Sequence, residues 1–160
     1  MTPFRIGIGY DVHQLREGYA LWLGGIRIAH RTGAVGHSDA DVLIHAICDA
    51  LLGALTLGDI GIHFPDTDAK FKGIDSKILL EKVVELIHQR GYKVGNVDTV
   101  LTLQAPKIKN HIPAMTAVLT KILQIDSDAL SIKATTAEKM GFVGQFEGVE
   151  ARAVALLYKI

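Results

Sequence analysis

Phe4-Arg5-Ile6-Gly7-Ile8-Gly9-Tyr10-Asp11-Val12-His13 alternates down its length, with Ile6, Ile8 and Tyr10 on one side and Arg5, Gly7 and Gly9 on the other. A period of two is that of a β-strand. A strand that runs out through Asp11 puts Asp11 and His13 on the same side. The period changes in His37-Ser38-Asp39-Ala40-Asp41-Val42-Leu43-Ile44-His45. From Ser38 onward Val42, Leu43, Ala46, Ile47, Ala50, Leu51 and Leu55 recur at helical spacing; Ser38 can cap, and Asp41 stands three residues later as in a capping box. Asp41, His45 and Asp49 are four apart and share one face of that helix.

Strand and helix together offer two imidazoles and a carboxylate. Asp11, His13 and His45 form the donor set of an open zinc site, in which three protein ligands leave a tetrahedral ion one position for substrate. Asp41 or Asp49 would be left to orient the His45 ring from outside.

Outward from this pair, Leu21-Trp22-Leu23 and Ile26-Arg27-Ile28 flank Gly24-Gly25 and read as a β-hairpin. Gly58-Asp59-Ile60-Gly61 through Phe64-Pro65-Asp66-Thr67-Asp68 is too long and too rich in Gly, Asp and Pro for a minimal connector, and reads as a functional loop. Ser76 to Arg90 is a second amphipathic helix with Ile78, Leu79, Val83, Leu86 and Ile87 inward and Gly91 as its stop. Val94 to Gln104 is a strand, with Val97, Thr99, Leu101 and Leu103 alternating. A third helix spans Lys109 to Gln124, and Pro113 moves its true start toward Ile112. Ser131 to Thr135 and Val149 to Tyr158 are the last strands. The order predicts an α/β (α+β) sandwich, a mixed β-sheet with helices on one face, in one domain over 1–160.

Composition narrows the function classes. The 160 residues are 49% hydrophobic, with 17 basic and 17 acidic side chains, so no global positive field recruits nucleic acid or an anionic membrane. The apolar stretches fall short of the roughly twenty residues that span a bilayer. Only a handful of residues precede the first strand, too few for a signal or transit peptide, and the lone Cys48 builds no disulfide framework. A cytoplasmic protein is expected; a processed plastid protein would look the same. The positive mean hydropathy points to a subunit interface.

Two further clusters carry polar groups. Gln104-Ala105-Pro106-Lys107 sits where a strand ends before a helix, a place for a phosphate or base edge. Lys133-Ala134-Thr135-Thr136-Ala137-Glu138-Lys139 supplies two hydroxyls, a carboxylate and two ammonium groups, and Thr135-x-x-Glu138 doubles as a capping box. Gly7-x-Gly9 lacks the third glycine of a dinucleotide fingerprint, and neither a P-loop nor a nucleophile-elbow serine occurs.

With these five motifs collinear along nearly the whole chain, the sequence resembles the 2-C-methyl-D-erythritol 2,4-cyclodiphosphate synthase family. The resemblance implies a homotrimer whose sheets pack around the threefold axis, with active sites between neighbouring subunits. It implies one zinc ion per subunit on Asp11, His13 and His45, and a magnesium or manganese ion held with the substrate's diphosphate by Glu138. Asp11, His13, His37, Ser38, Asp59, Ile60, Gly61, Phe64, Pro65, Asp66, Thr67 and Asp68 would surround the methylerythritol phosphate end. Leu103, Gln104, Ala105, Pro106, Lys107, Ile108, Lys109, Ala134, Thr135, Thr136 and Glu138 would receive the cytidine diphosphate end from the adjacent subunit. Phe142 and Gln145, in the final loop, would complete the substrate-binding residues.

The reaction so implied is intramolecular phosphoryl transfer: a 2-phosphate attacks the β-phosphorus of a cytidine diphosphate, closes a cyclic diphosphate and expels CMP, with His37 and Thr136 as transition-state donors. No protein nucleophile is needed, in agreement with the absence of one in the sequence. In Gly141-Phe142-Val143-Gly144-Gln145 the chain carries Gln where many members of the family carry Arg. An amide does not reproduce a guanidinium's bidentate grip on phosphate. Binding of an isoprenoid diphosphate in an axial cavity is thereby put in question, unless Arg152 faces the axis. Without the resemblance, two His and one Asp on zinc read as a hydrolase, and a trimeric nucleotide-binding scaffold is the non-enzymatic alternative.

Overall fold

A computed structural model describes residues 2–160. Five strands form one mixed sheet: β1 (Phe4–Glu17), β4 (Thr32–Ala34), β5 (Tyr92–Thr102), β6 (Leu130–Thr135) and β7 (Gly148–Lys159). Their order is β4-β1-β7-β5-β6, antiparallel throughout except for the parallel pair β5–β6. The predicted hairpin, β2 (Leu21–Leu23) and β3 (Ile26–Ile28), stands apart as a two-stranded ribbon. The three long helices are α1 (Val42–Ala54), α3 (Ser76–Gln89) and α4 (Ile112–Leu123). Two single-turn helices, α2 (Ile60–His63) and α5 (Gly141–Gly144), lie in segments for which no helix is expected from sequence. The sandwich with helices on one face of a mixed sheet is therefore as expected, while β1 runs on to Glu17 and β4 is an addition.

Gly7 and Gly9 explain how α1 seats on the sheet. A Cβ at Gly9 would lie 1.8 Å from the Ala46 carbonyl oxygen, and one at Gly7 would lie 1.9 Å from that of Ala50. The helix backbone thus rests on the strand backbone, and buried Ala151, Ala153 and Ala155 of β7 keep the neighbouring surface equally low. Such close approach is a reason for glycine in a strand interior. Eleven of the thirteen α1 residues are buried, so this helix is the centre of the core rather than a surface helix.

The other side of β1 is exposed: Ile6 by 70%, Ile8 by 72% and Tyr10 by 47%. Their partners on β7 across the ladder are Leu156, Val154 and Arg152. The glycine side of the strand is the core side, and the aliphatic side is an open apolar face.

Several local expectations are corrected. Ser38 does not cap α1: Asp41 is the N-cap and accepts the Ile44 N–H at 3.1 Å. The same carboxylate accepts N–H groups of Gly24 at 3.0 Å and Gly25 at 2.7 Å, which pins the hairpin turn to the helix start. The positive φ of both glycines lets two successive N–H groups turn to one acceptor. In α3, Ile78 faces outward and Leu80 and Val84 take its place, because the buried arc follows Leu79, Leu80, Val83, Val84 and Ile87. Leu86 is only partly buried against the core. In α4 the helix proper begins at Ile112, with Lys109–His111 a 3-10 turn before it.

Candidate active site

β1 and α1 bring Asp11, His13 and His45 together. His13 Nε2 and His45 Nδ1 are 3.2 Å apart, and Asp11 Oδ2 is 2.9 Å from the first and 3.0 Å from the second. Asp11 and His13 sit two apart on the face of β1 that carries Gly7 and Gly9, so the tight seating of α1 also sets the gap across which His45 reaches. The donor chemistry fits a divalent cation. His13 Nδ1–H donates to the Val35 carbonyl at 3.0 Å, which leaves the Nε2 lone pair for the centre of the cluster.

Protonation follows the same geometry. Burial pushes the Asp11 carboxyl up, but hydrogen bonds and charge from His13 and His45 outweigh it and hold the pKa at about 2. Burial pushes His13 down, and the Asp11 carboxylate more than offsets this, so His13 is raised above its ordinary 6.5. In the metal-free protein the His13–Asp11 contact therefore stabilises the fold fully below that ordinary value and is lost as pH rises through the raised one. The Asp11 contribution is present above 3.8 and is lost as pH falls toward about 2. A cation has to displace the His13 proton. Affinity for a divalent cation is thus expected to fall by about tenfold per pH unit once the pH drops below the raised His13 value. Competition titrations between about pH 8 and about pH 6 check this, and a flat profile would contradict it.

Neither Asp41 nor Asp49 orients His45, contrary to expectation. Asp41 is taken up by the helix cap and the hairpin, and Asp49 accepts the Ile60 N–H at 2.8 Å, which anchors α2. His45 Nε2 instead meets Ser76 Oγ at 2.9 Å and Ser38 Oγ at 3.2 Å.

The three residues open into a cavity of about 330 Å³, lined also by His37, Ser38, Ile60, Gly61, Phe64 and Asp66. Phe71, Ile74 and Leu79 complete its wall and carry no signal in the sequence, where they read as helix and loop packing. Asp59, Pro65, Thr67 and Asp68 are not on this wall. Asp59 caps α2 by accepting the Ile62 N–H, and Asp68 pairs with Lys70 at 2.8 Å while its carbonyl lies 3.4 Å from His37 Nε2.

A second hollow of about 160 Å³ lies at the far edge of the sheet. Leu103, Gln104, Pro106, Lys107, Ile108, Lys109, Ala134, Thr135 and Thr136 line it. The Ala105–Pro106 peptide is cis. Thr136 donates to Glu138 Oε1 at 3.2 Å and accepts the Glu138 N–H at 3.3 Å. The capping box at Thr135 starts no helix: β6 ends there, and Glu138 and Lys139 turn through positive φ before α5. Lys133 is paired with Asp98 at 2.7 Å and stays on the sheet. Phe142 lies on neither wall and borders a third hollow with Val12, His13, Gln14, Glu147 and Gly148. Gln145 turns its amide to the Lys139 carbonyl at 2.9 Å.

The YgbB family model matches residues 4–158. The chain belongs to the YgbB family. Among curated relatives, the 2-C-methyl-D-erythritol 2,4-cyclodiphosphate synthase of Porphyromonas gingivalis W83 is 59% identical over 155 residues, 97% of this chain and 96% of the relative. A solved 2C-methyl-D-erythritol-2,4-cyclodiphosphate synthase in its CDP-bound form superposes with a TM-score of 0.89 at 40% identity, covering 96% of this chain and 99% of the other. The Plasmodium falciparum IspF–CDP complex gives a TM-score of 0.87 at 36% identity, covering 99% of this chain and 98% of the other. Membership in the YgbB family thus agrees with the resemblance read from the five motifs. Among the described residues of this YgbB member no helix is long and apolar enough to cross a membrane.

Proposed function

We infer that the chain, as one domain over 1–160, converts 4-diphosphocytidyl-2-C-methyl-D-erythritol 2-phosphate to 2-C-methyl-D-erythritol 2,4-cyclodiphosphate and CMP, a step of isoprenoid precursor synthesis. The observation that carries this reading is the convergence of Asp11, His13 and His45 at the mouth of a cavity, in a chain 59% identical to a synthase of that name.

Asp11, His13 and His45 would hold zinc, and Glu138 would help to hold magnesium or manganese with the substrate. The two ions supply Lewis acidity and neutralise charge where two phosphates meet. The protein's own task is positioning. A cyclisation within one substrate gains most from holding the attacking oxygen and the phosphorus in line. His37, Ser38 and the 59–68 loop would grip the methylerythritol phosphate end, and the apolar contacts of Ile60, Phe64, Phe71 and Leu79 exclude water that would otherwise compete as nucleophile. Backbone and side-chain donors of 103–109 and 134–136 would take the cytidine diphosphate end, and His37 and Thr136 would donate to oxygens that gain charge in the transition state.

The separation of the two hollows supports an assembly. β1 and β6 are three strand spacings apart, about 14 Å, so one chain presents the two half-sites on different flanks of its sheet. A homotrimer packed through Ile6, Ile8, Tyr10 and Val154 would bury the apolar face and set one chain's cavity against its neighbour's second hollow. Arg152 lies on that same face, stacked 5.1 Å from the Tyr10 ring centre and paired with Glu150.

Phosphorus NMR with the cytidine diphosphate substrate, zinc and magnesium tests the reading. Cyclic diphosphate with CMP, lost on chelation and regained on adding metal, is the expected result. A hydrolysed monophosphate would replace the synthase by a hydrolase, and CDP binding without turnover would leave a nucleotide-binding scaffold.

A further inference from the structure

We infer that Asp39 and Ser76 are positioning residues for the metal site, holding the hydrogen of His45 Nε2 and so presenting Nδ1 as the ring nitrogen that faces Asp11 and His13. This rests on reading Asp11, His13 and His45 as a metal site, and it adds two residues to which no role has been given.

Ser76 is fully buried in the first turn of α3, and its Oγ meets two groups, Asp39 Oδ1 in a short hydrogen bond and His45 Nε2 at 2.9 Å. A serine hydroxyl has one hydrogen, and an ionised carboxylate only accepts. The Ser76 hydrogen therefore goes to Asp39, and Ser76 Oγ is left to accept. What it accepts is His45 Nε2–H.

Asp39 cannot swing away to release this arrangement. Its Oδ1 also accepts the Asp41 N–H at 3.1 Å and its Oδ2 the Ser76 N–H at 2.9 Å. Its own N–H donates to the Ile74 carbonyl at 3.1 Å, and the Gly73 N–H donates to the His37 carbonyl at 2.7 Å. The loop that carries His37 and Ser38 is thereby stitched to the start of α3.

A ring without the Nε2 hydrogen would keep its only N–H on Nδ1, against His13 Nε2 and Asp11 Oδ2, where a cation could not take the nitrogen. With Nε2–H directed at the nearer Ser76, the Ser38 hydroxyl, which accepts the Ala40 N–H at 3.1 Å, keeps its hydrogen free toward the cavity it lines. Outer partners of this kind set ligand basicity and orientation, and their loss typically weakens metal binding by about 10- to 100-fold.

Two readouts other than turnover test the relay. Long-range proton–nitrogen correlation on nitrogen-labelled, metal-free protein reports which ring nitrogen of His45 is protonated. Competition with a chromophoric chelator reports zinc affinity. The wild type is expected to show Nε2–H. Ser76→Ala should show the hydrogen on Nε2 lost and zinc bound about 10- to 100-fold more weakly. Ser76→Thr, which keeps the hydroxyl, should restore both, as a merely space-filling role would not require. Should Ser76→Ala fail to fold, Asp39→Asn is read in the same two ways, since an amide cannot satisfy all three of the donors that Asp39 accepts. A wild-type His45 with no hydrogen on Nε2, or zinc affinity of the serine variant within about twofold of wild type, overturns the relay alone. Wild-type protein that takes up no zinc overturns the metal-site reading and the relay with it.

Discussion

His45→Ala is expected to lower the rate of cyclic diphosphate formation by roughly 1000-fold and to remove the tightly held zinc. The magnitude follows from what is lost. A Lewis acid at a phosphoryl oxygen contributes several kcal/mol to the transition state, and about 4 kcal/mol corresponds to roughly three powers of ten. His45 supplies one of three donors, and with it gone Asp11 and His13 form a two-ligand site. The fold should survive, because alanine is the better helix former and the ring stands at the cavity rather than in the middle of the apolar core. His13→Ala should behave alike. The measurement is product by phosphorus NMR, metal content per chain, and elution volume to show that the assembly is unchanged. Wild-type turnover, or one zinc per chain in either variant, would falsify the ligand assignment.

The second large effect falls on stability. Gly9→Ala would put a Cβ 1.8 Å from the Ala46 carbonyl oxygen and 2.7 Å from the Ala50 nitrogen, both backbone atoms of a helix buried on nearly every side. No rotamer relieves a backbone clash, so α1 has to lift from the sheet and open the core along Ala46, Ala50, Ala153 and Ala155. A cost above about 4 kcal/mol is expected, a large part of a typical total of 5–15 kcal/mol. Gly7→Ala meets the Ala50 carbonyl at 1.9 Å and should be similarly severe. Gly53→Ala is the internal control. It lies within α1, its added methyl would come no closer than 3.8 Å to the Ile8 carbonyl oxygen, and helix propensity alone should stabilise it by about 0.5–1 kcal/mol. Urea unfolding of the three variants decides the matter. Equal midpoints for Gly9→Ala and Gly53→Ala would show that the contact is not what seats the helix.

The parts legible in sequence were those governed by short periods. Asp11 and His13 are two apart on a strand, and His45 lies on a helix whose apolar spacing is strong, so the meeting of these three side chains is legible in the sequence. The hairpin at Gly24-Gly25 and the mixed sheet under one layer of helices were equally local in origin. What escaped were partnerships across the chain. In sequence Asp41 stands as the second member of a capping box, but the donors that claim it include Gly24 and Gly25 from a separate ribbon. Ser76 was simply the first residue of a helix, 31 positions from the ring it meets. Ile78 was assigned inward because apolarity alone does not say where a buried arc is centred. The substrate contacts came from the resemblance rather than from spacing, and Asp59 and Asp68 each also accept a backbone N–H within their own loop, which no short period signals.

The seating of α1 on Gly7 and Gly9 makes β1 a gauge block as well as a structural strand. The thickness it sets between two backbones at positions 9 and 46 is the thickness that, one residue back along the helix and two residues further along the strand, separates His45 from Asp11. Stability of the fold and the spacing of the Asp11, His13 and His45 donors therefore share one dimension of the molecule, and a larger side chain at the fully buried Ala46 or Ala50 would disturb both. The routes left open run through the exposed surface of α3 and α4, where bulk can be added without altering that gauge.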